Sequence, residues 1–185
     1  VNILAKFHEL FYSTSAHRKL EVAERLLSLY GEELVKDPHI AQLLGVLSAR
    51  EENVRQQMGL MEMDRTCSRC AREGGGGCCS AAFAEETDAV QLLMNMLAGV
   101  VVVNQYSLGG TECRYLGEKG CIFRYKPMFC LNYICPSITR NEPKDALGRL
   151  EKHTGILLQT QLDVERLLID FFIRISRDHF VDFQN

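Results

Sequence analysis

No long apolar run, no strong excess of charge and no familiar catalytic signature marks this chain of 185 residues. Its formal net charge of −3 is too mild to draw nucleic acid or an anionic membrane surface as a partner. The longest apolar stretch, residues 89–103, is interrupted by Gln91 and Asn95 and is too short to span a bilayer. Lys6, His8 and Glu9 occupy the start of the chain, where a signal peptide would carry its apolar segment. Val1 rather than Met opens the sequence, which leaves a leader trimmed ahead of it open. These absences predict a cytoplasmic chain with neither a nucleic-acid nor a membrane partner. The glycine run at 74–77 lacks the Gly-Lys-Ser/Thr ending of a phosphate loop. There is no nucleophile elbow, no His-Glu-x-x-His and no Cys-x-x-x-Cys-x-x-Cys triplet. No internal repeat is visible, and nothing is of low complexity beyond the four glycines.

What the chain does have is cysteine, gathered in one place. All eight cysteines lie between Cys67 and Cys135: Cys67, Cys70, Cys78, Cys79, Cys113, Cys121, Cys130 and Cys135. Without an export signal a reducing compartment is the default, and there such a set argues for metal or redox chemistry over a framework of disulfides. No histidine falls inside the window, since His8, His17, His39, His153 and His179 all lie outside it. All-thiolate ligation is therefore expected, which suits Zn²⁺ or an iron–sulfur cluster and disfavours Mg²⁺, Ca²⁺ and Mn²⁺.

The rest is helical in pattern. The chain is 46% hydrophobic and 24% charged, enough to bury a core within one domain. Residues 1–63 read as N-terminal helices. Ile3, Phe7, Leu10 and Phe11 share a face; Ser13-Thr14-Ser15 interrupts, with Ser15 placed to cap the next helix. Leu20, Ala23, Leu27, Tyr30 and Leu34 alternate steps of three and four. Asp37-Pro38 restarts a helix, and Ile40, Leu44, Leu47, Val54, Met58 and Met61 continue its apolar face. The periodicity stops at Asp64, and residues 64–140 read as a loop-rich cysteine module containing one helix, over about 88–103, capped by Thr87 or Asp88. Residues 141–185 read as a long C-terminal helix, with Asn141 as its cap and Pro143 in its first turn. Leu150, Leu157, Val164 and Phe171 recur every seven residues, and Leu147, Thr154, Gln161, Leu168 and Ile175 fill the second seam position. That stripe packs on the N-terminal helices or, less readily given Thr154 and Gln161, forms a homodimer. The expected fold is mainly α, a helical bundle with an inserted metal-binding module.

Within the window, Cys67-x-x-Cys70 has the gap that lets two sulfurs turn toward one metal. Adjacent side chains usually point apart, so Cys78 and Cys79 either feed two sites or divide into a ligand and a packed thiol. Arg65, Arg69, Arg72, Arg114, Lys119, Arg124 and Lys126 interleave with the sulfurs; each reads as a surface charge or as a cation favouring thiolate. Phe123, Tyr125, Phe129 and Tyr133 either shield a cluster from water or form a small local core.

Cys67-x-x-Cys70, Cys78-Cys79, Cys113 and the run Gly120-Cys121-Ile122-Phe123-Arg124-Tyr125-Lys126-Pro127-Met128-Phe129-Cys130 together resemble the zinc- or iron-chelating CxxCxxCC family. That broadly bacterial group includes the cysteine module of flagellin lysine-N-methylase. The resemblance implies that Cys67, Cys70, Cys78 and Cys79 form the first ligand motif and Cys113, Cys121 and Cys130 the second, with Cys135 matching an extra cysteine of some members. Two departures stand out: seven residues separate Cys70 from the doublet, and Lys126-Pro127 replaces Arg-Pro, which removes a bidentate cation. The resemblance implies a cytoplasmic metal-binding protein holding an iron–sulfur cluster or Zn²⁺ in one or two sites, with a structural, electron-transfer or redox-sensing role. An enzyme akin to the protein-lysine methylase is the alternative, against which the chain shows no glycine motif of the common methyl-donor fold. A third reading is a protein-interaction module stapled by structural zinc.

Overall fold

The computed structural model describes residues 3–72, 79–102, 113–117 and 120–178. It is mainly helical, as the periodicity predicts. The elements run α1 (Ile3–Tyr12), α2 (Ala16–Lys36), α3 (Pro38–Leu60), α4 (Met63–Arg72), α5 (Ala81–Glu85), α6 (Ala89–Leu97), β1 (Leu116–Gly117), β2 (Gly120–Cys121), α7 (Met128–Asn132), α8 (Pro136–Thr139) and α9 (Lys144–Asp178).

The helix starts obey local chemistry. Ser15 Oγ accepts from Arg18 N at 3.3 Å. Asp37 Oδ1 accepts from His39 N at 2.9 Å and from Ile40 N at 3.1 Å, with Pro38 in the first turn. Asp88 Oδ1 accepts from Gln91 N at 2.7 Å. Each satisfies a main-chain donor that the first turn leaves orphaned.

Three expectations are revised. Helical order does not stop at Asp64: α4 carries on to Arg72, so Cys67 and Cys70 lie on a helix. The central helix ends at Leu97 rather than near residue 103. Gly99, at φ +78°, turns the chain, while Val100 N donates to Asn95 O at 3.0 Å and Gly99 N to Met96 O at 2.9 Å. This pair of bonds closes a helix around a left-handed glycine and overrides the apolar run beyond it; Val103 itself lies outside the described residues. Asn141 does not cap α9. Its Nδ2 donates back to Ser137 O at 2.7 Å, and Pro143 O takes the first helical bond, from Leu147 N at 3.1 Å.

The body is built from α2, α3, α6 and α9. Helix α9 packs along α3, while α6 lies against α2 and touches α1 and α9. The heptad stripe is spent inside the chain: Leu150, Leu157, Val164, Leu168 and Phe171 are all 2% exposed or less. Each such side chain contributes about 1.5–3 kcal/mol by leaving water. Phe11, Tyr30, Phe171 and Phe172 close one end, edge to face, with Phe11–Phe172 and Tyr30–Phe172 centroids both 6.0 Å apart.

Candidate metal centre

Five of the cysteines come to one place. Helix α4 supplies Cys67, the segment before α5 supplies Cys79, the approach to β1 supplies Cys113, β2 supplies Cys121, and α7 supplies Cys130; all five line a chamber of about 60 Å³. Its remaining wall is largely apolar, with Met58, Phe83, Leu116, Phe123, Pro127 and Tyr133, and two charged side chains, Asp64 and Lys126, also face it.

Cys70 and Cys135 do not line the chamber. Cys70 is exposed, although it sits less than one turn beyond Cys67 on α4. Cys135 lies just before α8, its sulfur 2.7 Å from Ser137 Oγ. Cys78 lies outside the described residues. Among the described residues no three His, Cys, Asp or Glu side chains already stand around one point as a lone ion would require.

Main-chain bonds bring these segments together. Cys113 N donates to Cys79 O at 3.0 Å, Leu116 N to Cys113 O at 3.0 Å and Ile122 N to Tyr115 O at 2.9 Å. Strands β1 and β2 pair antiparallel, Leu116 opposite Cys121 and Gly117 opposite Gly120. Gly120 adopts φ +108°, a conformation that a Cβ would strain. Gly117 sits so close that a Cβ there would meet Ile122 Cγ2 at 3.2 Å.

The wall is then tied to the helical body by buried amides. Asn95, fully buried on α6, donates from Nδ2 to Tyr125 O at 2.9 Å and accepts from Tyr125 N at 2.9 Å. Gln91 Nε2 donates to the same Tyr125 O at 2.6 Å. From α9, Gln161 Nε2 donates to Lys126 O at 3.2 Å. Asn95 thus gives Tyr125 both bonds that a neighbouring strand would give. A second tie is ionic: Arg124 Nε donates to the buried Glu51 of α3 at 3.1 Å, and Arg124 Nη2 to Ser48 Oγ at 2.6 Å. Arg124 is therefore a docking cation, and Arg114 pairs with Glu85. Lys126 keeps its ammonium near Met58 Sδ, at 3.9 Å, on the chamber side.

Burial sets the thiol chemistry. It pushes the Cys121 thiol up to about 11, against the opposing pull of Lys126. Burial also raises Cys113, against a main-chain bond at Tyr115 and the Arg114 charge. Both sulfurs are therefore protonated at neutral pH, and loading a metal must expel those protons. The five cysteines suit a thiophilic metal, in a largely apolar wall that also holds Asp64 and a lysine that offsets thiolate charge.

Sequence reasoning named all five lining cysteines, and Lys126, Phe123 and Tyr133 as residues among them. It missed Asp64, Met58, and the amide clamp of Gln91, Asn95 and Gln161. The signal was present: two amides four residues apart inside an apolar helix, and a third in an apolar heptad seam.

The chain matches no family model, and no curated protein and no solved structure is similar to it.

Proposed function

We propose that this chain is a metal-binding protein whose chamber holds an iron–sulfur cluster through four of the five cysteines Cys67, Cys79, Cys113, Cys121 and Cys130. The observation that carries the reading is the convergence of sulfurs from five separate segments on one largely apolar chamber. A mononuclear tetrahedral zinc site takes four ligands and leaves little room among them. Here five cysteines line a space several times what one water needs, which is about 10–15 Å³. That favours a polynuclear group over a single ion.

An iron–sulfur cluster would supply one-electron chemistry, with its potential set by charge and hydrogen bonding around it. The chain's own residues do the rest. Lys126 balances thiolate charge, Phe123, Tyr133 and Pro127 limit water, and Asn95 with Gln91 holds the segment from which Cys121 and Cys130 extend. Electron transfer or redox sensing fits such a wall better than catalysis.

Anaerobic purification with elemental analysis and visible spectroscopy tests the reading. A brown protein with iron and sulfide, losing its band in air, is the expected outcome. Colourless protein with stoichiometric zinc would replace the cluster with a structural ion, and protein with neither would reject metal binding. Cys121→Ser should lower metal content and loosen residues 113–117 and 120–135, because coordination contributes to folding in such sites.

A further inference from the structure

Cys79 and Cys113 belong to different segments but meet through their main chains, Cys113 N donating to Cys79 O at 3.0 Å. A main-chain N–H···O bond of this length keeps the two Cα atoms within about 6.5 Å of each other by bond geometry, inside the roughly 4.4–6.8 Å that a disulfide spans. Both residues line the same chamber, and both are part-exposed, so a small oxidant reaches them. No other two described cysteines share a main-chain hydrogen bond of this kind. Cys121 faces Leu116 across the hairpin.

We propose that Cys79 and Cys113 are a redox pair that peroxide closes to a disulfide, and that closure discharges the metal. The second half rests on the metal-binding reading; the first half rests on geometry alone. One thiolate attacks peroxide: an S–O bond forms, the O–O bond breaks, and hydroxide leaves to become water. The second sulfur then attacks the sulfenic sulfur: the S–S bond forms, the S–O bond breaks, and the second oxygen departs as water. Two thiols are oxidised and hydrogen peroxide is reduced, giving one disulfide and two waters. Only Cys67, Cys121 and Cys130 of the lining set then remain as thiolate donors, fewer than the four that a tetrahedral thiolate site or a cluster takes.

The test treats the full chain with hydrogen peroxide, blocks remaining thiols by alkylation, and maps cross-links without reduction. A glutamate-specific protease is needed, since Cys78, Cys79 and Cys113 share one tryptic peptide while Glu85, Glu86 and Glu112 separate the doublet from Cys113. Fragmentation then tells Cys78 from Cys79. The expected result is a Cys79–Cys113 link, loss of two thiols, release of metal to a chromogenic chelator on the same time course, and reversal by dithiothreitol. Cys79→Ser and Cys113→Ser abolish the link, and Cys70→Ser leaves it. The same mapping on chelator-stripped protein should give the same link, so the pair is judged even if the metal reading fails. A Cys67–Cys70 or Cys78–Cys113 link, or no link at all, overturns the pair. The Cys79–Cys113 link with metal retained overturns the discharge.

Discussion

Along the α3–α9 seam apolar side chains are buried between long helices, whereas the wall of the cysteine chamber buries Tyr115, Phe123, Tyr125 and Leu131 on short elements and loops. The seam joins helices of 23 and 35 residues, with side chains that leave water almost entirely. Beyond α4, the described part of the wall has strands of two residues and helices of five. Isolated pieces of that length are not stable in water. What holds them is contact with the rest of the fold: the burial of Tyr115, Phe123, Tyr125 and Leu131, the amide clamp of Asn95, Gln91 and Gln161, the Glu51–Arg124 pair, and under our proposal the metal. A chain can thus carry elements too short to order themselves, provided a rigid neighbour supplies an apolar surface and hydrogen bonds at chosen points.

Four substitutions distinguish the seam from the wall, in order of decreasing size. Leu157→Ala, in the seam, should cost about 3 kcal/mol by leaving a cavity. It should lower the unfolding midpoint of body and chamber together, read by far-ultraviolet circular dichroism and metal release. Two separate transitions would show that the wall does not depend on the body. Asn95→Ala should cost about 2 kcal/mol, because Tyr125 N–H is left buried without its acceptor. It should also weaken metal binding in chelator competition by more than a seam variant of equal stability does. Equal weakening would reduce Asn95 to an ordinary core residue.

Asp88 gives the third. Burial, with Glu165 nearby, raises its carboxyl to about 6, against main-chain bonds from Gln91 and Val90 and the Lys19 charge. A raised folded value means that the protonated form is favoured in the fold. That contribution is complete below pH 4 and is lost as pH climbs through about 6. Asp88→Asn keeps a capping oxygen and should flatten this loss, stabilising the protein near neutral pH by about 2 kcal/mol. Denaturant melts at pH 4 and pH 7 measure it, and an unchanged slope would count against the buried carboxyl. The smallest effect belongs to Cys70→Ser. An exposed sulfur outside the chamber should change stability by less than about 0.5 kcal/mol and leave metal content untouched. A loss of metal there would enlarge the ligand set.

The chamber's titration adds a sign to the metal reading. Since Cys121 and Cys113 are protonated when no metal is bound, affinity should rise with pH, by up to about tenfold per unit for each proton displaced. Isothermal titration in buffers of different ionisation enthalpy counts those protons.

Much of the helical body could be read from residue order. Ser15, Asp37 and Asp88 were legible as caps because capping is a contact between a side chain and main-chain donors two or three residues on. Leu150, Leu157, Val164 and Phe171 were legible because helical period places them on one line. Gln161 was harder: in sequence it is a blemish in a heptad, and in the fold it is a donor to Lys126 O. Cys67 and Cys70 look equivalent in the motif, yet on α4 one lines the chamber and the other is exposed.

Residue order alone was enough for the helical class, the starts of α2, α3 and α6, the buried stripe of α9 and the confinement of cysteine to one window, because each depends on neighbours within a few residues. Only the tertiary structure decided which sulfurs share a chamber, that Asn95 clasps Tyr125, and that Glu51 receives Arg124. Those pairings join segments tens of residues apart, and the packing of α6 against the body, rather than any spacing along the chain, sets where such segments meet.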